Sequence, residues 1–242
     1  MRDAPLPRRL FAEFLGSAFL AATVVGSGIA AAQLSPGDTG LQLLENAAAT
    51  AAGLAVFILM FGPISGAHFN PVVSLVDAAF GGLRWRHALT YVSAQVGGCI
   101  AGAILANAMF ALPAVSISTT HRASEAHLLA EVVATFGLLL TIFSLVRTRR
   151  GNLVPAAVGA YIGAAYFFTS STSFANPAIS VGRIFSDTFA GIAPASVPVF
   201  VVAQLVGAAL AITVIRVLYP SSPRRPAGRS GDPLVTAWRR SG

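Results

Sequence analysis

No lysine occurs anywhere in this 242-residue chain, and charged residues of every kind make up only 10% of it. A soluble globule carries about 25% charged residues, so the deficit excludes a surface that faces water throughout, and with it a soluble enzyme. Cysteine is nearly absent as well. Cys99 stands alone, which excludes an internal disulfide and any zinc site built from cysteines. What is present is 55% hydrophobic with a mean hydropathy of +0.73, the composition of a membrane protein. The net charge of +7 comes from 16 arginines against 9 acids. On composition alone that excess would suit a nucleic acid, but its placement points elsewhere.

Apolar runs long enough to cross a hydrocarbon core of roughly 30 Å fall near 10–33, 46–62, 88–110, 128–146, 153–170 and 195–218. The first is too long for a signal-peptide core and lacks a small-residue cleavage pattern, so it reads as a retained span. Two further stretches, 64–80 and 172–190, are too short or too broken by Gly, Pro, Asn and Ser to cross alone. Arginine-rich short loops stay cytoplasmic. With both termini inside, 14 arginines fall on the cytoplasmic side and only Arg122 and Arg183 on the other. The basic charge is thus used for topology, and no nucleic-acid partner is expected.

The chain also repeats itself. Ala12-Glu13 returns as Ala130-Glu131 after 118 residues, Gly53 as Gly159 and Asn70-Pro71 as Asn176-Pro177 after 106, and Ala94-Gln95 as Ala203-Gln204 after 109. Each copy holds three spans, an odd number, so the second enters the membrane from the opposite side. That is an inverted repeat, in which matched broken segments point to the functional site. The expected organisation is a cytoplasmic segment 1–9, one channel unit 10–219 (repeats 10–110 and 128–218) and a disordered basic cytoplasmic tail 220–242, whose Pro, Ser, Gly and Arg cannot build a core.

In both broken segments a Gly- or Ser-rich stretch leads to Asn-Pro and then to an apolar run: Gly62 to Ser74, and Ser170 to Ser180. Asn suits an N-cap, and Pro suits the first helical position, where its missing N–H costs nothing. Two half-helices entering from opposite faces would meet N-terminus to N-terminus. Each end carries about +0.5 charge, so together they cost a cation at about 4 Å and an effective dielectric of about 20 roughly 4 kcal/mol. Neutral solutes that trade hydrogen bonds would pass. The alternative is that both Asn residues are structural caps only.

Ser65-Gly66-Ala67-His68-Phe69-Asn70-Pro71 and Asn176-Pro177-Ala178, with the repeat and the membrane Glu and Gln pairs, resemble the aquaporin (major intrinsic protein) family over about residues 8 to 218. The resemblance implies an all-α membrane protein with six transmembrane helices and two re-entrant half-helices. It places Asn70, Pro71, Val72, Asn176, Pro177 and Ala178 at the pore centre. It further implies that Glu13 and Glu131 hold the irregular loops, against the alternative of a proton relay in a secondary transporter. Ungapped counting from the Asn-Pro motifs puts the family's selectivity filter at Thr50, Ala164, Ser173 and Ile179. The last position is usually Arg, so this chain departs from the pattern. With three small neighbours, the filter is expected to be wide and resembles those of aquaporins in bacterial metalloid resistance. Arg183, one turn beyond Ile179, either places a cation at the outer edge or pairs with Asp187.

The sequence therefore predicts a passive channel for small uncharged solutes: water, glycerol and neutral arsenicals. The competing readings are a proton-coupled transporter using Glu13 and Glu131, and a closed-pore structural membrane protein. No metal, cofactor or enzymatic activity is expected. The resemblance implies a homotetramer in contact with lipid, in a bacterial inner membrane.

Overall fold

The computed structural model describes residues 4–220, and every regular element among them is helical. Six are long: α1 (Leu6–Leu34), α2 (Thr39–Ser65), α4 (Trp85–Met109), α5 (Glu125–Arg147), α6 (Val154–Phe168) and α8 (Val197–Leu218). Two short ones, α3 (Pro71–Ala79) and α7 (Pro177–Gly182), occupy the broken segments. With the 3-10 turns that lead into α6 and α8, the long helices supply six stretches apolar and long enough to cross a membrane. The expected tail lies, Pro220 aside, outside the described residues.

Boundaries differ from the sequence reading by a few residues at most ends, and by most at the start of α2, which begins at Thr39 rather than near 46 because the Asp38 side chain accepts from the Leu41 N–H and caps it. The first span begins at Leu6, because Pro7 sits in the first turn, where a helix needs no N–H from it. The Gly62-Pro63 pair does not end α2, which runs on to Ser65 and stops at Gly66, whose φ of 94° caps it in the left-handed region. The irregular backbone before Asn70 therefore shrinks to residues 66–69.

Packing follows the duplication. In the first half α1 lies against α2 and α4, and in the second α5 lies against α6 and α8, while α2 and α6 join the halves. Close approach is what glycine provides here. A Cβ on Gly98 would strike the Phe14 carbonyl of α1, and one on Gly207, its counterpart in α8, would strike the Val132 carbonyl of α5. The outward faces remain apolar, with Leu89, Leu129, Val202 and Val217 exposed. In water that would be untenable, but against lipid it costs nothing.

Candidate functional site

Two buried carboxylates organise the centre. Glu13, fully buried, accepts from the Ser65 hydroxyl at 2.6 Å, the His68 N–H at 3.0 Å, the Phe69 N–H at 2.8 Å and the Gln95 amide at 2.8 Å. Glu131, equally buried, accepts from Ser171 at 2.7 Å, the N–H groups of Phe174 and Ala175 at 2.9 Å each, and Gln204 at 2.6 Å. Every carboxylate oxygen is thus satisfied twice, which is what an ionised group away from water requires. The loops so held are strained. Ala67 and Phe69 in the first, and Thr172, Ser173 and Ala175 in the second, have φ between 47° and 61°, which non-glycine residues adopt at a cost of about 1–3 kcal/mol each.

These loops deliver the two asparagines. The Asn70 carbonyl oxygen of the side chain accepts from the Val72 N–H at 3.1 Å, capping α3. The corresponding oxygen of Asn176 accepts from Ala178 at 2.9 Å and Ile179 at 3.3 Å, capping α7. Each side-chain amide then reaches across to the other loop: Asn70 donates to the Ala175 carbonyl at 2.7 Å, and Asn176 to the Phe69 carbonyl at 2.9 Å. An amide has two N–H groups, so one on each asparagine is left for the channel that both side chains line. Pro71, Val72, Pro177 and Ala178 are buried behind them and do not line it.

The channel has two unlike sides. Residues 66–70 with Ser173, Phe174 and Asn176 make a polar strip of irregular backbone. Facing them are apolar side chains spaced one turn apart: Leu20 and Val24 on α1, Leu54 and Ile58 on α2, Leu138 and Ile142 on α5, Val158 and Ile162 on α6. A solute moving through keeps hydrogen-bond partners on the loop side, while on the helix side it meets apolar side chains except at the Thr50 and Tyr166 hydroxyls.

Of the four filter positions counted from the sequence, the structure places Thr50, Ser173 and Ile179 on the channel wall. Ala164 is not there. It is exposed on the outside of α6, and the wall position belongs to Tyr166, whose hydroxyl lies 3.2 Å from that of Thr50. The reason is helical phase. Val158, Ile162 and Tyr166 follow one another at intervals of four, whereas Ala164 lies two residues from Ile162, about 200° round the helix. The expectation of three small residues is corrected accordingly, since a buried tyrosine fills that side.

Arg183 also lines the channel, buried to 3% exposure. Its Nε donates to the Ala190 carbonyl and its guanidinium carbon lies 3.5 Å from the centroid of the Phe174 ring. It does not pair with Asp187, whose carboxylate accepts from the Thr119 N–H at 2.9 Å. At the other end His68 lines the channel, its Nδ1 3.0 Å from the Ser74 hydroxyl and its Nε2 3.9 Å from the Asp77 carboxylate. Tyr166 and His68, the latter backed by the buried Asp77, are wall features that counting from Asn-Pro does not reach. Among the described residues no cluster of metal-binding side chains occurs.

Known proteins resemble this chain in sequence and in fold. The family model for major intrinsic protein matches residues 1–183. Aquaglyceroporin AqpS of Rhizobium meliloti (strain 1021) is 49% identical over 233 residues, covering 96% of this chain and 98% of its own. A glycerol uptake facilitator protein of Streptococcus pneumoniae (strain ATCC BAA-255 / R6) is 32% identical over 192 residues, 72% of this chain and 80% of its own. The X-ray structure of the aquaglyceroporin from Plasmodium falciparum superposes with a TM-score of 0.67 over 88% of this chain and 96% of that one. At 21% identity, that match speaks for the fold.

Proposed function

The chain belongs to the major intrinsic protein family, and from that premise we propose that its pore selects small uncharged solutes of about glycerol size at a constriction formed by Thr50, Tyr166, Ser173 and Ile179. It is an integral membrane protein and a passive channel, not an enzyme. The observation that carries the solute class is the two-sided wall. Asn70 and Asn176 each keep an amide N–H for an acceptor oxygen, and the hydroxyls of Thr50, Tyr166 and Ser173 stand along the same path. Opposite the asparagines and Ser173, the leucine, isoleucine and valine side chains of the long helices suit the C–H face of a polyol. Ile179 replaces a donor with an apolar side chain, so size and desolvation count for more in selection than a fixed hydrogen-bond pattern. Water, glycerol and neutral trihydroxy arsenicals share the required size, neutrality and hydroxyls.

The half-helix ends, capped by Asn70-Pro71-Val72 and Asn176-Pro177-Ala178, supply the central barrier to cations, and Glu13 and Glu131 hold the loops that present them. With both termini cytoplasmic in a bacterial inner membrane, residues 10–219 form one channel unit, and the exposed apolar helix faces meet lipid and the neighbouring subunits of a homotetramer. Stopped-flow swelling of proteoliposomes against gradients of water, glycerol, urea and neutral arsenicals tests the reading. Swelling with glycerol that is independent of an imposed proton gradient is expected. Absence of swelling with every solute sinks the reading in favour of a closed pore, and flux that follows the proton gradient sinks it in favour of a transporter.

A further inference from the structure

Of the sixteen arginines, the charge pattern assigns all but Arg122 and Arg183 to the cytoplasmic side. These two come from different elements to one ring. Arg183, in the 3-10 turn after α7, has its guanidinium carbon 3.5 Å from the Phe174 centroid, and Arg122, in the loop before α5, has its own at 5.5 Å. Carbonyl oxygens fix both. Arg183 donates to Ala190, and Arg122 donates to Gly191 at 2.7 Å and to Phe189 at 3.1 Å. The segment 189–191 thereby ties the loop to the half-helix.

A carbonyl or a ring face orients a guanidinium without cancelling its charge. Among the described residues neither arginine forms an ion pair, and the nearby acids are engaged otherwise. Asp187, four residues from Arg183, accepts from Thr119. Glu131 is covered by its four donors, one of them the N–H of Phe174 itself. One positive charge, on Arg183, therefore stands at the channel wall, and a second, on Arg122, stands close behind it against the ring of Phe174, where the surrounding dielectric is low and screening weak.

We propose that Arg122 and Arg183, joined through the ring of Phe174, form an outer cation barrier that replaces the arginine absent at position 179. This rests on the channel reading above. Phe174 stands two residues before Asn176, so the field of the two arginines overlaps that of the half-helix ends and raises the same barrier. A neutral solute experiences no such cost and meets the Arg183 guanidinium together with the Ser173 hydroxyl, which has no partner among the described residues.

The test uses the full chain in proteoliposomes, reading glycerol swelling, proton leak and sodium leak on the same vesicles. The double variant Arg122→Gln/Arg183→Gln is expected to leak protons and sodium at least about tenfold faster than the parent, each leak being read relative to the variant's own glycerol flux. Arg122→Gln alone, which leaves the half-helix intact, is expected to give an intermediate leak, and Arg122→Lys/Arg183→Lys, which keeps the charge, to leak at the parent level. A double variant that conducts glycerol normally and excludes both cations overturns the proposal while leaving the channel reading in place. If the double variant fails to fold, a folded Arg122→Gln protein with unchanged leak overturns it instead. Parent protein that conducts no glycerol is the separate failure of the channel reading.

Discussion

Replacing Glu131 with Gln tests whether the membrane carboxylates hold the loops or carry protons. The substitution keeps the shape but turns one accepting oxygen into a donor amide. Whichever oxygen is replaced, two of the four present donors lose their acceptor: Ser171 and Phe174 on one side, or Ala175 and Gln204 on the other. Hydrogen bonds to a charged group contribute about 1.5–3 kcal/mol each, so the loss is about 3–6 kcal/mol. The loop has reason to yield, since Thr172, Ser173 and Ala175 are held at positive φ. At about 2–4 °C per kcal/mol for a chain of this length, the melting temperature of detergent-purified protein should fall by roughly 6 °C or more. Glu13→Gln should cost as much, because Glu13 accepts the same four kinds of bond. The order of solutes in swelling assays should not change. A Glu131→Gln protein that melts with the parent would refute the holding role. If its flux also lost a dependence on the proton gradient that the parent possessed, the transporter account would take its place.

Three further outcomes follow from the wall. Asn176→Asp retains the cap but puts a negative charge between the half-helix ends and removes the bond to Phe69, so sodium and proton leak should rise, and unchanged leak in folded protein argues against a central barrier. Tyr166→Ala removes the bulk beside Thr50 and should speed solutes larger than glycerol while water changes little; equal flux of all solutes would remove Tyr166 from the constriction. Ile179→Arg adds five N–H donors and a large side chain, so glycerol flux should fall before water flux does, and parent rates for glycerol-sized solutes would show that Ile179 does not limit passage.

The pore centre was the most legible part of this molecule, because its chemistry occurs twice in the sequence. Asn-Pro, the membrane glutamates and the Ala-Gln pairs each recur, and hydrogen bonding then explains why. Further pairs obey the same spacing and were open to being read. Ser65 and Ser171, which donate to the glutamates, are 106 apart, as are Ser74 and Ser180, which receive the glutamines. The constriction was less legible, since it draws on four elements and a residue count along the chain carries no helical phase. Counting back from Asn176 ignored that α6 presents a stripe at intervals of four, and so reached Ala164 on the exposed outer face instead of Tyr166. The environment of Arg183 was hidden for another reason. Asp187 stands four residues on, a spacing that favours pairing only if the helix continues, but α7 ends at Gly182 and the backbone is extended by Ser186.

The duplication also explains how one frame supports two chemically different mouths. The asparagine bonds cross between repeats, Asn70 to Ala175 and Asn176 to Phe69, so each loop is positioned by the other and the centre resists change on one side alone. Away from that crossing the same 106-residue spacing relates positions that have diverged. Val73 in the first repeat corresponds to Ile179, His68 to Phe174, and Asp77 to Arg183. At one end of the channel a ring lies 3.9 Å from a carboxylate, and at the other a ring lies 3.5 Å from a guanidinium. The frame thus specifies a ring followed nine residues later by a charged side chain, and the sign of that charge is what the two copies no longer share. A cation approaching from the arginine end meets repulsion before the half-helix ends add theirs, while one from the opposite end first meets His68, with the Asp77 carboxylate buried behind it. Cation exclusion should therefore depend more on the arginine end than on the Asp77 end, in keeping with a barrier assembled from Arg122, Phe174 and Arg183.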